Sequence, residues 1–135
     1  MARRHLAVFL KGCVEKILQG QKTVEIRFSQ NRILPYEAIA KDDEILLKNS
    51  GGKIIGKATV DNVLFYDNLD KETILKIKKE YFVAAGMASD FWLKRLGAKY
   101  MAIIFLKKPV KFLAPLNYQK RDRRPWLVME EDIKI

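Results

Sequence analysis

The stretch that decides the fold runs Gly20-Gln21-Lys22-Thr23-Val24-Glu25-Ile26-Arg27-Phe28. Its last six residues alternate, with Val24, Ile26 and Phe28 on one side and Thr23, Glu25 and Arg27 on the other. That is the two-residue period of a strand with one apolar face. Gly20 can take positive φ and marks the end of a short helix, in which Val14, Ile17 and Leu18 fall at i, i+3 and i+4. Ahead of that helix, Leu6 to Leu10 is a short apolar run that reads as a buried strand. The chain therefore opens as strand, short helix, glycine turn and amphipathic strand.

Beyond it, residues 29–43 form a looser stretch around Pro35. Glu44 to Lys48 and Lys53 to Phe65 then read as strands joined through Asn49-Ser50-Gly51-Gly52, a hairpin signal. Asp70 is placed to cap a helix running to Ala85. Ile74, Ile77, Tyr81 and Ala85 make its buried stripe, Lys71, Lys76 and Lys79 lie outside that stripe, and Gly86 ends it. Ser89 starts a further short helix through Leu96, closed by Gly97, with Phe91 and Trp92 assigned to the core. Tyr100 to Leu106 is strongly β-forming, Pro109 and Pro115 are expected to interrupt the chain after it, and Trp126 to Met129 is the last strand. Short strands without regular strand-helix alternation predict a mixed α+β fold, a small β-barrel with peripheral short helices. The 135 residues suit one domain, 1–135, with a single core.

Composition narrows the function classes. The one cysteine, Cys13, cannot pair within the chain, and with the one histidine, His5, it falls short of a zinc ligand set, so no metal and no cofactor is expected. Leu6 to Leu10 is too short for a signal-peptide core and is followed by Lys11, and no run reaches the ~20 apolar residues of a membrane span, which makes the cytoplasm the expected location. The formal net charge is +10, and residues 94–129 hold ten Lys and Arg against one acidic residue, Asp122. Such clustering draws polyanions, of which nucleic acid is the commonest inside cells. An anionic membrane is a poorer match without a basic amphipathic helix, and a Lys-rich surface can also serve solubility or heat adaptation.

Gly20, Lys22, Glu25 and Arg27 together resemble the G-x-K-x-x-E-x-R signature of ASCH domains, members of the PUA-like superfamily. The surrounding order is similar to that family from about residue 6 to 108. The resemblance implies a PUA-like β-barrel that binds RNA or another nucleic acid.

Two groups of residues could carry that role. Glu25 and Arg27, two apart on a strand, can pair at a barrel mouth, while Lys22 and Arg27 hold phosphate or a base edge and Glu25 accepts from an exocyclic amine or hydroxyl. An ion-paired rim tying strand to helix is the structural reading of the same residues. The second group is Tyr118, Lys120, Arg121, Arg123, Arg124 and Trp126, in which arginines meet successive phosphates and rings offer stacking surfaces. Trp126 reads equally as core.

Some ASCH-like proteins are hydrolases that use the signature lysine with a threonine nucleophile. This chain departs there, holding Glu25 where that branch has threonine. The resemblance leaves a metal-independent hydrolase with Lys22, Thr23 and Glu25 in its site as the alternative, with Glu80 and Asp90 candidate acidic partners by region. A protein-interaction adaptor is the third class.

Overall fold

The computed structural model describes residues 2–118 and 123–129. Its elements follow in order: β1 (Arg4–Phe9), α1 (Cys13–Leu18), β2 (Val24–Ser29), β3 (Glu44–Asn49), β4 (Ile54–Tyr66), α2 (Lys71–Ala85), α3 (Ser89–Leu93), β5 (Tyr100–Leu116) and β6 (Trp126–Met129). The six strands form one curled sheet in the order β2-β5-β4-β3-β1-β6. Among them the β1–β3 pair is parallel and the other pairs are antiparallel. The result is the mixed α+β half-barrel with peripheral helices that the patterning predicts.

The local chemistry of each element is visible in its ends. Gly20 takes φ 78° at the close of α1, where its N–H and that of Gln21 bond back to the Ile17 and Lys16 carbonyls. Asp70 caps α2 by accepting the Thr73 N–H at 2.7 Å, and Gly86 ends that helix at φ 62°. Ile74, Ile77 and Ala85 are buried as the stripe requires, and they pack with Val24, Ile26, Met101, Ile103 and the fully buried Trp92. A second cluster fills the inside of the curl with Ala7, Phe9, Ile17, Ile45, Leu47, Val60, Ile104 and Trp126. Leu6, Leu46 and Ile54 belong to a third cluster, shared with Tyr118 and Leu127. Alternation along β1 explains the split, because Leu6 and Ala7 must point to opposite faces.

Two sequence expectations change. The second short helix ends at Leu93, so Leu96 and Gly97 lie in the turn after it. More consequentially, β5 does not stop at Leu106 but continues to Leu116 through Pro109. The β4–β5 register shifts between Lys57 and Thr59, opposite Lys107 to Val110, and Lys108 there has φ 50°. Proline lacks an N–H for the ladder but is tolerated at a bulge, so the strand bends at Pro109 without ending.

That bend also fixes Gly56. A Cβ at this position would lie 2.6 Å from the Val110 carbonyl oxygen and 2.8 Å from Leu18 Cδ2. Gly56→Ala should therefore destabilise the protein by about 1–3 kcal/mol, the usual range for overpacking. Urea unfolding of the two proteins checks this, with an unchanged midpoint as the contrary result.

Candidate functional site

The apolar side of β2 faces α2, which turns Glu25 and Arg27 toward the inside of the curled sheet. Glu25 is 7% exposed and Lys22 is 1% exposed, so this charged group is buried. Glu25 Oε1 lies 3.0 Å from Lys22 Nζ, and its Oε2 accepts from Arg27 Nε at 2.8 Å. Lys22 also donates to the Val24 carbonyl at 3.0 Å and to the carbonyl of Ala85 at the end of α2. Arg27 donates to the Val8 carbonyl at 3.0 Å and lies 5.0 Å from the ring centres of both Phe9 and Trp126. Burial pushes the Glu25 carboxyl up, but the charges of Lys22 and Arg27 and their hydrogen bonds outweigh it and hold its pKa below the ordinary 4.5. Glu25 is therefore an anion at neutral pH.

Beside this triad opens a cavity of about 660 Å³. Glu25, Arg27 and Phe9 line its inner part, with Cys13 next to them. One wall is the loop after β2, through Ile33, Leu34, Pro35 and Tyr36. Tyr36 is set by ring contacts to Phe65 and Tyr100, at 5.3 and 5.1 Å between centres. The α2–α3 region contributes Met87, Phe91 and Arg95. Arg95 stacks its guanidinium carbon 4.0 Å from the centre of the Phe91 ring and donates to the Phe91 carbonyl at 2.8 Å. Lys48, Ser50 and Gly51 at the end of β3, and Arg123 and Pro125 before β6, complete the enclosure. Burial, with a smaller contribution from Glu25, pushes the Cys13 thiol up, so it lines the cavity as a neutral group, 3.7 Å from Met87 Sδ.

The sequence-derived site residues divide sharply. Glu25, Arg27 and Arg123 line the cavity. Lys22 stands behind it, fully enclosed, and Thr23 is exposed at the foot of β2, where its backbone bridges Ala84 and Leu106. Tyr118 packs with Leu6 and Leu46, on the face of β1 and β3 opposite the barrel interior. Trp126 is 1% exposed and its indole N–H donates to His5 Nδ1 at 3.0 Å, so of its two readings the structure selects the core. His5 in turn holds Asp43 through Nε2 at 2.8 Å, which makes it a packing residue. Arg124, Glu80 and Asp90 are exposed, and Lys120 and Arg121 lie outside the described residues.

Tyr36, Lys48, Ser50 and Arg95 were not singled out by sequence reasoning, and Phe91 was assigned wholly to the core. Phe91 and Arg95 carried the one local signal available, an aromatic-arginine pair four residues apart. The others reach the cavity through tertiary contacts alone.

The family model for the ASCH domain matches residues 11–93, which covers β2 and most of the cavity. This chain belongs to the ASCH domain family. Its fold is similar to that of the ASCH protein of Zymomonas mobilis, with a TM-score of 0.73 at 16% identity over 95% of this chain and 88% of that one. A serine-to-alanine mutant of the same Zymomonas protein superposes with a TM-score of 0.72 at 14% identity, covering 95% of this chain and 89% of the other. None of the curated proteins matches the chain in sequence. The ASCH domain has a PUA-like fold, an architecture generally linked to RNA binding. No helix among the described residues is long and apolar enough to cross a membrane.

Because the Glu25 pKa is depressed in the folded state, its contribution to stability is complete above the unfolded value and is lost as pH falls through the folded one. Carbon-13 NMR of the Glu25 carboxyl should give a midpoint below 4.5. Correspondingly, stability should fall less steeply for Glu25→Gln than for the parent as pH drops below about 5. A midpoint above the ordinary value would mean that burial wins over the two cations.

Proposed function

We propose that this ASCH domain binds single-stranded or looped RNA by taking an unpaired base into the cavity beside Glu25. The observation that carries the reading is an ionised, buried carboxylate inside a cavity whose other charged groups are cations. Among the described residues, Arg27, Lys48, Arg95 and Arg123 stand there against one acid, Glu25. A carboxylate only accepts hydrogen bonds, and Lys22 and Arg27 leave it lone pairs to spare, so the ligand must present a donor. An exocyclic amine on a base edge is such a donor, and a polyanionic strand satisfies the surrounding cations. Phe91 with its stacked Arg95 supplies a flat cationic surface of the kind on which bases lie. The family's PUA-like fold favours RNA over DNA, and the +10 net charge supports a polyanionic partner of either kind.

The hydrolytic alternative has less support. Lys22 already directs its ammonium to the Val24 and Ala85 carbonyls and to Glu25, which leaves it no donor for a substrate. Thr23 does not line the cavity.

Fluorescence anisotropy with matched single-stranded RNA, duplex RNA and single-stranded DNA across a salt series tests the proposal. Single-stranded RNA should bind most tightly, with log Kd linear in log salt and a slope corresponding to several neutralised phosphates. The double substitution Arg123→Ala/Arg124→Ala should make that slope shallower by about one for each phosphate that is no longer neutralised. Phe91→Ala should weaken binding about tenfold at unchanged slope, the scale of one base stacked on an aromatic ring. Absent or salt-independent binding would remove the proposal.

A further inference from the structure

Lys48 is a cavity cation to which the base-binding reading assigns no particular group of the ligand. It is 9% exposed and lines the cavity, yet its ammonium has one hydrogen-bond acceptor among the described residues, the Asn49 carbonyl at 3.3 Å. No carboxylate lies within ion-pair distance of it among the described residues, whereas the more deeply buried Lys22 is paired with Glu25. An ammonium has three donors, so two are left to meet a ligand. The sheet is irregular here: the β3–β4 register shifts between Leu47 and Lys48. The extra residue, Ile55, lies on β4, and bulges of this kind recur beside binding sites.

The strand register brings a second cation to the same end of the cavity. Lys48 is the partner of Val8 on β1, and Val8 donates its N–H to the Pro125 carbonyl at 2.9 Å. Pro125, Val8 and Lys48 thus form one rung across three neighbouring chain segments, with Lys48 and Pro125 about 10 Å apart at two interstrand spacings. Arg123, two residues before Pro125, lines the cavity with them. Ser50 and Gly51, also in the wall, add a hydroxyl and a backbone turn at φ 72°.

The cavity is therefore polar in a directional sense. Glu25, paired with Lys22 and Arg27, is an acceptor; Lys48 and Arg123 are donors with positive charge, and among the described residues Glu25 is the acid that lines the cavity with them. We infer that Lys48 and Arg123 form a phosphate subsite of the cavity, so that the ligand is a nucleotide whose base meets Glu25 and whose own phosphate meets Lys48. This rests on the base-binding reading of the same cavity. It narrows that reading, because a free nucleoside then lacks one of the two groups the cavity recognises, and it assigns the phosphate role to Lys48 in place of the signature residue Lys22.

Isothermal titration calorimetry compares a nucleoside, its 5′-monophosphate and its 3′-monophosphate, for each of the four ribonucleosides, against the parent protein and Lys48→Met. Methionine keeps the length and packing of the side chain and removes the charge. At least one monophosphate should bind the parent roughly tenfold or more tightly than its nucleoside, the scale of a charge-assisted hydrogen bond. Lys48→Met should abolish that difference and leave the nucleoside affinity unchanged. The 5′ and 3′ arms show which side of the sugar the subsite serves. Equal affinity of nucleoside and both monophosphates for the parent overturns the subsite while leaving the base-binding reading standing. Nucleotide preference retained in Lys48→Met overturns it as well. Binding of none of these ligands to the parent overturns both. Arg123→Ala, on an exposed residue, provides the same comparison if Lys48→Met fails to fold, and its expected effect is a reduced monophosphate preference with intact nucleoside binding.

Discussion

The rest of the structure depends on the burial of Glu25 between two cations. An isolated carboxylate taken out of water would be too costly to keep ionised, and the pair Lys22 and Arg27 makes it tolerable only if their own remaining donors are satisfied. The fold does this by bringing distant chain segments to β2. The Ala85 carbonyl at the C-terminal end of α2 meets Lys22, where the helix dipole also favours a cation. The Val8 carbonyl of β1 meets Arg27, and Phe9 and Trp126 flank its guanidinium. Helix, first strand and last strand are all tied to β2 through two side chains.

This arrangement accounts for the spacing of the signature as a set of physical requirements. Gly20 supplies the left-handed turn that ends α1 and sends the chain back under α2. Lys22, just before the strand, runs inward beneath Gly86, whose φ of 62° is the left-handed conformation that ends α2. Glu25 and Arg27 are two apart, hence on one face, opposite the α2-packed Val24, and both line the cavity. The signature is thus first a structural device that fixes an anion, and it places that anion in the wall of the cavity.

With both Glu25 oxygens already paired, the rest of the cavity's character comes from residues outside the signature. Tyr36, Phe91 and Arg95 shape its walls, and Lys48 and Arg123 give it positive charge at the end of the β6-β1-β3 rung. The walls come from the loop after β2, the α2–α3 region and the strand ends, which vary more freely than the sheet that carries them. A shared fold with the Zymomonas protein at 16% identity is compatible with such division of labour.

By itself the sequence determined the local elements and the pairing of Glu25 with Arg27. Alternation, helical stripes and caps are written within a few residues of one another, so β2, α2 with its Asp70 cap, and the hairpin signal between β3 and β4 could be read directly. Pro109 misled because the bulge that accommodates it exists only in the β4–β5 pairing, where Lys57 meets Val110 from a distant part of the chain. Only the tertiary structure decided that Lys22 is enclosed, that Trp126 serves the core through His5, and that Lys48 stands in the cavity without an acid within ion-pair reach among the described residues. Burial and the identity of a charge's partners are properties of the assembled chain: they depend on which segments arrive from elsewhere, and local periodicity carries no record of that.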